Sequence, residues 1–228
     1  MKYLANIFSF ANGAAGVASI YATLQGNPEL AIQLIFLGFF FDAIDGACAR
    51  AFGSVSWGGI LDRTADRITQ AIAPALLLMV YSGADSILSA GAIIFVLFAF
   101  KGLAGKEQKE YFSGLPLTIP GFVIMGQIMV GAHLPSALLL LLITCSCLHW
   151  LRYPRRLSRP RVGESTVRAP LRGMKHIAGR TWIARAVLLL ALVFLPQTAW
   201  PAVGIVLIIA ACVYALAGPF IYKKTTAD

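Results

Sequence analysis

The fold of this chain is decided by the stretch from Asp42 to Asp66, which reads DAIDGACARAFGSVSWGGILDRTAD. This stretch carries four aspartates, in a chain with only 10 acidic residues. The segments on either side of it, Ala31–Phe41 and Ile68–Tyr81, are apolar enough to lie in a bilayer. Ionisable groups at membrane depth are costly to bury, so we interpret the aspartates as functional.

The spacing of the aspartates predicts two carboxylate pairs on facing helices. Asp42 and Asp45 are three residues apart, and Asp62 and Asp66 are four apart, so each pair shares one face of a helix. The segment Gly53–Gly59 contains a natural turn, which predicts a helical hairpin with both pairs near one membrane surface. Four like charges this close require compensation. Oxygen ligands of this kind favour Mg²⁺ or Mn²⁺.

The composition is that of a polytopic membrane protein, since 58% of the 228 residues are hydrophobic and 13% are charged. We predict an all-α membrane helix bundle with about eight transmembrane helices. The predicted spans are Leu4–Leu24, Glu29–Phe52, Trp57–Ser82, Ser86–Lys101, Leu117–Gly131, Pro135–Leu151, Thr181–Pro196 and Trp200–Tyr222. The four cysteines lie in apolar stretches without paired spacing, so we expect no disulfide framework.

The basic residues predict the orientation of the bundle. All 19 Lys and Arg fall on one side of the eight-span arrangement, and the loops on the other side carry none. The positive-inside rule then places both termini and the carboxylate hairpin at the cytoplasmic face. This placement also argues against a nucleic-acid partner, despite the net charge of +9. The basic stretch from Arg152 to Arg180 suits anionic membrane lipids, or it supplies an arginine for a substrate phosphate or carboxylate.

The first predicted span is rich in glycine, alanine and serine, which allow helices to approach closely. Two interpretations stay open for it. The span packs tightly beside the carboxylate hairpin, with Asn6, Ser9 and Asn12 helping to hold a polar ligand, or it is an ordinary packing helix.

Aspartates in a membrane also suit a divalent-cation carrier, but a carrier would place them at mid-membrane. Here they cluster at one surface beside arginines. Arg50 comes one turn after Gly46, and Gly46 and Ala49 leave open backbone next to the acids. Metals with an arginine and a small-residue surface suit a diphosphate ligand and phosphoryl-group transfer. One aspartate left partly free could accept a proton from an attacking hydroxyl.

The pattern Asp-x2-Asp-Gly-x2-Ala-Arg-x7-Gly-x3-Asp-x3-Asp resembles the signature of the CDP-alcohol phosphatidyltransferases, and this chain matches it without a gap. The resemblance implies an integral membrane enzyme of phospholipid synthesis that moves a phosphatidyl-type group from a CDP-linked lipid to an alcohol and releases CMP. It implies a homodimer in the cell's inner membrane, with the active site facing the cytoplasm.

The same resemblance implies roles for the residues of the signature. It implies a two-metal site from Asp42, Asp45, Asp62 and Asp66, with Asp66 also acting as general base. It implies that CDP is held near four positions, which are Gly46, Ala49, Arg50 and Gly58.

Shorter matches are similar to the phosphatidylserine synthase branch of the family, such as Asn6-x2-Ser9-x2-Asn12-Gly13, Ala73-Pro74-Ala75, Phe112–Pro116 and Arg152–Pro154. L-serine is therefore the expected acceptor. Three departures from the branch, at Arg63, at Thr69–Ala71 and at Phe100–Gly102, fall near the expected acceptor pocket. Asp66-Arg67-Ile68 instead resembles inositol-phosphate-transferring relatives, so inositol phosphate or glycerol phosphate is the alternative acceptor. A non-enzymatic cation carrier is the alternative class.

These features divide the chain into three parts. We expect a transferase core with six transmembrane helices in residues 1–155. A basic cytoplasmic loop follows in residues 156–180, and a C-terminal helix pair in residues 181–228.

Overall fold

The structure is a computed structural model that describes residues 3–52, 55–81, 86–100, 106–107, 111–116, 118–131, 142, 152–154, 183 and 186–227. The helices in these ranges are α1 (Leu4–Leu24), α2 (Pro28–Phe52), α3 (Gly58–Asp66), α4 (Ala73–Tyr81), α5 (Ser86–Phe100), α6 (Thr118–Val130) and α7 (Trp200–Ala227). A π-helical segment, Arg67–Ile72, joins α3 to α4, and residues 186–193 are also helical. The predicted helical architecture is confirmed for the described residues.

Within the described ranges, three helices are long and apolar enough to cross a membrane by length and composition: α1, α2 and the segment Gln197–Pro219. The count of eight spans stays a prediction. The predicted sixth span, Pro135–Leu151, lies outside the described residues except for Leu142, and the predicted basic loop 156–180 lies wholly outside them.

The turn between α1 and α2 follows from local sequence. Gly26 has a φ of 71°, a left-handed conformation that ends α1. The Asn27 side chain then accepts a hydrogen bond of 3.0 Å from the Leu30 backbone N–H, which caps the start of α2. Pro28 occupies the first helical position, where its missing N–H costs nothing. The two helices therefore run back along each other as a tight antiparallel pair.

The seam between α1 and its neighbours is built from small side chains. Ser19 is fully buried in it and donates a hydrogen bond of 2.9 Å to the Ala31 carbonyl of α2. At Gly16, an added Cβ would lie 2.6 Å from Thr69 Oγ1 and 2.9 Å from Ile68 Cγ2. The backbone of α1 thus approaches the π-helical segment more closely than any side chain would permit. This close approach places α1 against the segment that directly follows Asp66, at the end of the carboxylate hairpin.

The apolar core lies between α2, α4, α5 and α6. Its largest fully buried side chains include Ile32 and Phe36 of α2, Leu78 of α4, Phe95 of α5 and Met125 of α6. In a bilayer such contacts stabilise the bundle by shape and dispersion, since lipid tails are as apolar as these residues.

A small antiparallel sheet is the feature that the sequence patterns did not predict. Its strands are β1 (Lys106–Glu107), β2 (Tyr111–Ser113) and β3 (Arg152–Pro154), in the order β1-β2-β3. Phe112 pairs with Tyr153, and Ser113 pairs with Arg152. Two motifs that resemble the serine branch, about 40 residues apart in the chain, are therefore direct neighbours.

We expect Gly16→Ala to destabilise the fold and Gly13→Ala to leave it intact. An added Cβ at Gly13 would meet Ala65 Cβ at 3.4 Å, which is ordinary contact, whereas the Cβ at Gly16 overlaps Thr69. Overpacking of this kind costs about 1–3 kcal/mol. Thermal unfolding of the detergent-solubilised protein checks the expectation: only the Gly16 variant should melt at a lower temperature. Equal melting temperatures for the two variants would contradict the close approach described here.

Candidate active site

Three of the four signature aspartates form one carboxylate cluster, which α2 and α3 bring together. Asp42, Asp62 and Asp66 are half-buried, and each offers an oxygen that lies within 4.8 Å of the other two. Two oxygen ligands on opposite sides of one Mg²⁺ lie about 4.2 Å apart, at about 2.1 Å each from the ion. Small side-chain rotations would therefore let the three oxygens share a cation. Carboxylate oxygens are also the donors that Mg²⁺ and Mn²⁺ prefer.

Asp45 lies beside this cluster, deeper in the bundle, and is only 4% exposed. Its carboxylate interacts electrostatically with those of Asp42 and Asp62. Ser9 of α1 donates a hydrogen bond of 2.7 Å to Asp45 Oδ2. The structure thus brings all four predicted aspartates into one region, with three sharing the candidate metal position and the fourth held by α1.

Asp66 is held by α1 as well. Asn12 Nδ2 donates a hydrogen bond of 3.0 Å to Asp66 Oδ1. The backbone carbonyl of Asn12 in turn accepts a hydrogen bond of 2.9 Å from Thr69 Oγ1. Ser9 and Asn12 were singled out in the sequence as potential ligand-holding residues. Here both side chains donate hydrogen bonds to the aspartates, and the Ser9 hydroxyl also lies 3.2 Å from the Ala5 carbonyl oxygen.

The predicted nucleotide-binding residues border the cluster. The Arg50 guanidinium folds back over α2, where its Nη1 lies 3.1 Å from the position that a Cβ of Gly46 would occupy. Because residue 46 is a glycine, the Arg50 guanidinium has room to lie against the α2 backbone at the residue that follows Asp45. Ala49 is half-buried on the same helix, and Gly58 is buried at the first residue of α3. Their contact with a nucleotide stays a prediction.

The π-helical segment Arg67–Ile72 is a feature of the site that sequence reasoning missed. Such segments occur often at functional sites because they shift the register of the side chains that follow. Here the segment begins directly after Asp66 and turns Thr69 into the seam between α1 and α2, where it is fully buried. The sequence placed Thr69 near an acceptor pocket, but its contacts are with Asn12, Gly16 and Gly38. No residue pattern in the stretch marks this conformation.

The two arginines of α3 and the π-helical segment differ in their surroundings. Arg63 is exposed on the surface of α3. The Arg67 guanidinium lies 5.7 Å from the centre of the Phe100 ring at the end of α5, a cation–π contact. Arg67 thus ties the end of α5 to the helix turn that carries Asp66.

Comparison with known proteins identifies the family. A family model described as CDP-alcohol phosphatidyltransferase matches residues 2–154, which contain the whole carboxylate cluster. The chain belongs to the CDP-alcohol phosphatidyltransferase family. The resemblance carried by the signature is thereby confirmed, and the chain is a transferase of phospholipid biosynthesis.

Three relatives of this CDP-alcohol phosphatidyltransferase, among others, carry names with serine or inositol phosphate. It is 26% identical to the archaetidylserine synthase of Methanothermobacter thermautotrophicus, over 67% of this chain and 70% of the relative. It is 34% identical to the CDP-diacylglycerol–serine O-phosphatidyltransferase of Methanocaldococcus jannaschii, over 54% of this chain and 63% of the relative. It is 40% identical to the archaetidylinositol phosphate synthase of Aeropyrum pernix, over 32% of this chain and 38% of the relative.

We expect the carboxylate cluster to bind Mn²⁺ and Asp62→Asn to weaken that binding at least tenfold. Even the partners of ligating groups change metal affinity about 10–100-fold, so a lost ligand should cost no less. Depletion of the free Mn²⁺ signal in electron paramagnetic resonance measures the affinity.

Glu29→Gln is the matched control for this measurement. Glu29 begins α2, accepts a hydrogen bond from Gln197, and lies 13 residues before Asp42, about 20 Å along the helix. Its amide variant should bind Mn²⁺ like the wild type. Equal losses in both variants would mean that the ion binds acidic surface in general.

Proposed function

We propose that this chain transfers a phosphatidyl-type group from a CDP-linked lipid, CDP-diacylglycerol or CDP-archaeol, to the hydroxyl group of L-serine and releases CMP. The observation that carries the proposal is the carboxylate cluster, with oxygens of Asp42, Asp62 and Asp66 within 4.8 Å of one another. The guanidinium of Arg50 lies along the same helix, one turn from Asp45. Family membership supports the same chemistry.

The four aspartates would hold two divalent cations, Mg²⁺ or Mn²⁺, of which Asp42, Asp62 and Asp66 have the geometry to share one. When bound, such ions neutralise charge on a diphosphate and on its leaving phosphate. Arg50 supplies a further positive charge from the protein, and the absent side chain of Gly46 gives its guanidinium room beside the diphosphate. Ala49 and Gly58 complete the proposed nucleotide surface.

In the proposed reaction, Asp66 accepts the proton of the acceptor hydroxyl. The hydroxyl oxygen forms a bond to the phosphorus next to the lipid, and the bond from this phosphorus to the CMP oxygen breaks. The hydrogen bond from Asn12 to Asp66 Oδ1 suits this role, since it holds the carboxylate in one orientation.

The two named groups of relatives support different acceptors. The serine-transferring relatives match over more than half of this chain, which favours L-serine. The match to the archaetidylinositol phosphate synthase covers less of this chain but has a higher sequence identity. A phosphorylated acceptor, inositol phosphate or glycerol phosphate, is therefore the second candidate, and Arg67 next to Asp66 is the residue that favours it.

The proposed setting is the cell's inner membrane, with the active site facing the cytoplasm. The three long apolar helices support insertion, and the one-sided distribution of the 19 Lys and Arg supports this orientation. The same basic groups suit anionic membrane lipids. We propose a homodimer, for which the support is the family resemblance.

We expect the purified protein with CDP-diacylglycerol and Mn²⁺ to release CMP only when its acceptor is present. The panel consists of L-serine, ethanolamine, inositol phosphate and glycerol phosphate, and chromatographic quantification of CMP is the measurement. L-serine should give the highest rate. Asp66→Asn should abolish turnover, because an amide accepts no proton, while CDP still binds. Glu29→Gln, at the far end of α2, should behave like the wild type.

Each outcome of this panel distinguishes between the candidates. CMP release with inositol phosphate or glycerol phosphate and none with serine would establish the second candidate. Absence of CMP with every acceptor, together with passage of Mn²⁺ into liposomes, would favour a cation carrier. Normal turnover of Asp66→Asn would remove Asp66 from its role as base.

A further inference from the structure

Asn12 lies where three helical elements meet. It belongs to α1, its side chain contacts Asp66 at the end of α3, and it faces Gly38 of α2. The residue has no exposed surface. Its amide nitrogen donates to Asp66 Oδ1, whereas its amide oxygen is buried and has no hydrogen-bond partner among the described residues.

Two neighbours fix the direction of the Asn12 amide. Thr69 donates its hydroxyl proton to the Asn12 backbone carbonyl and fills the space between Gly16 and Gly38. A Cβ added at Gly38 would lie 3.0 Å from Asn12 Oδ1, so the amide oxygen rests directly against the α2 backbone. The amide nitrogen therefore points to Asp66, because the opposite orientation would set the amide oxygen against a carboxylate oxygen.

The buried, unpartnered amide oxygen of Asn12 destabilises the fold, which indicates that Asn12 does more than fill space. A buried polar atom without a partner destabilises a fold, and an apolar side chain of the same size would avoid that cost. Leucine has the same branched skeleton of four non-hydrogen side-chain atoms as asparagine, with larger methyl groups in place of the polar amide ends. Groups that violate such rules are found where function requires them.

We propose that Asn12 is a positioning residue for Asp66, with Thr69 holding Asn12 in place; the inference rests on the proposed function. The hydrogen bond to Oδ1 sets the rotation of the Asp66 carboxylate and thereby the direction of Oδ2. Asn12 acts through Asp66 and not on the substrate. The π-helical segment contributes by bringing Thr69 into the seam directly after Asp66.

The test compares Asn12→Leu, Thr69→Val and Thr69→Ser with Ser19→Ala. Ser19 is the matched control, since it also lies fully buried on α1 and donates to α2, but two turns away from Asn12. The readouts are kcat per CDP-binding site, KM for the CDP-lipid, Mn²⁺ affinity and the melting temperature.

Asn12→Leu should lower kcat by about 10–100-fold, the range seen when partners of functional ligands are removed. It should also weaken Mn²⁺ binding by about tenfold, while KM changes little. The larger methyl groups of leucine should lower the melting temperature by overpacking, which is why kcat is expressed per CDP-binding site. Thr69→Val should show a smaller loss of kcat, and Thr69→Ser, which keeps the hydroxyl donor, should restore it. Ser19→Ala should lower the melting temperature and leave kcat per site unchanged.

A kcat for Asn12→Leu within twofold of the wild type, at unchanged Mn²⁺ affinity, would overturn the inference. A loss of total activity that disappears when the rate is expressed per CDP-binding site would overturn it too, because Asn12 would then only hold helices together. If the wild type releases no CMP with any acceptor, the proposed function fails. The Mn²⁺ affinities of Asn12→Leu and Ser19→Ala then decide the inference alone: weaker binding in the Asn12 variant supports it, and equal binding overturns it.

Discussion

Repulsion between carboxylates is the constraint on which this structure depends. Asp42, Asp45, Asp62 and Asp66 lie close enough to interact electrostatically with one another. Left alone, two helices carrying such pairs would separate, since like charges at short distance destabilise each other most where water is scarce. The repulsion across the hairpin of α2 and α3 must therefore be offset by hydrogen bonds to the carboxylates, by proton uptake or by bound cations.

Helix α1 supplies the hydrogen bonds, and its small side chains make them geometrically feasible. Ser9 donates to Asp45 and Asn12 to Asp66, so each helix of the hairpin is held by one donor from α1. Both side chains are short, and they reach the carboxylates only because the backbones approach closely. Gly16 and Gly38 permit that approach, since a Cβ at either position would overlap Thr69. The part of the seam at Gly16 and Gly38 thus serves the site as well as the packing. The tight packing of α1 beside the hairpin is observed, and a ligand-holding role for Asn6, Ser9 and Asn12 stays a prediction.

The parts of this site that follow from helical periodicity were predictable, and the parts that depend on contact between helices were not. The spacing of Asp42 with Asp45 and of Asp62 with Asp66 predicts two pairs on facing helices, and the structure brings them together. The bounds of α1 also follow from the sequence, because an apolar run ends at a glycine turn. The π-helical segment could not be predicted, since its sequence, RITQAI, suits an α-helix equally well. Its conformation accompanies the burial of Thr69 between two other helices, and a one-dimensional pattern contains no record of that contact.

The small sheet shows the same limit, and it packs against a helix that lies beyond the family match. Strands of two and three residues carry no periodicity of their own, so the pairing of Phe112 with Tyr153 appears only in three dimensions.

Tyr153 is fully buried and stacks on Tyr214 of α7, with ring centres 5.7 Å apart. Nearer the start of α7, a Cβ at Gly204 would lie 2.6 Å from the Gly126 carbonyl oxygen of α6. The family match ends at residue 154, yet the helix that follows it closes over both α6 and the sheet. The C-terminal helix therefore belongs to the same scaffold as α6 and the sheet, because its side chains pack on both.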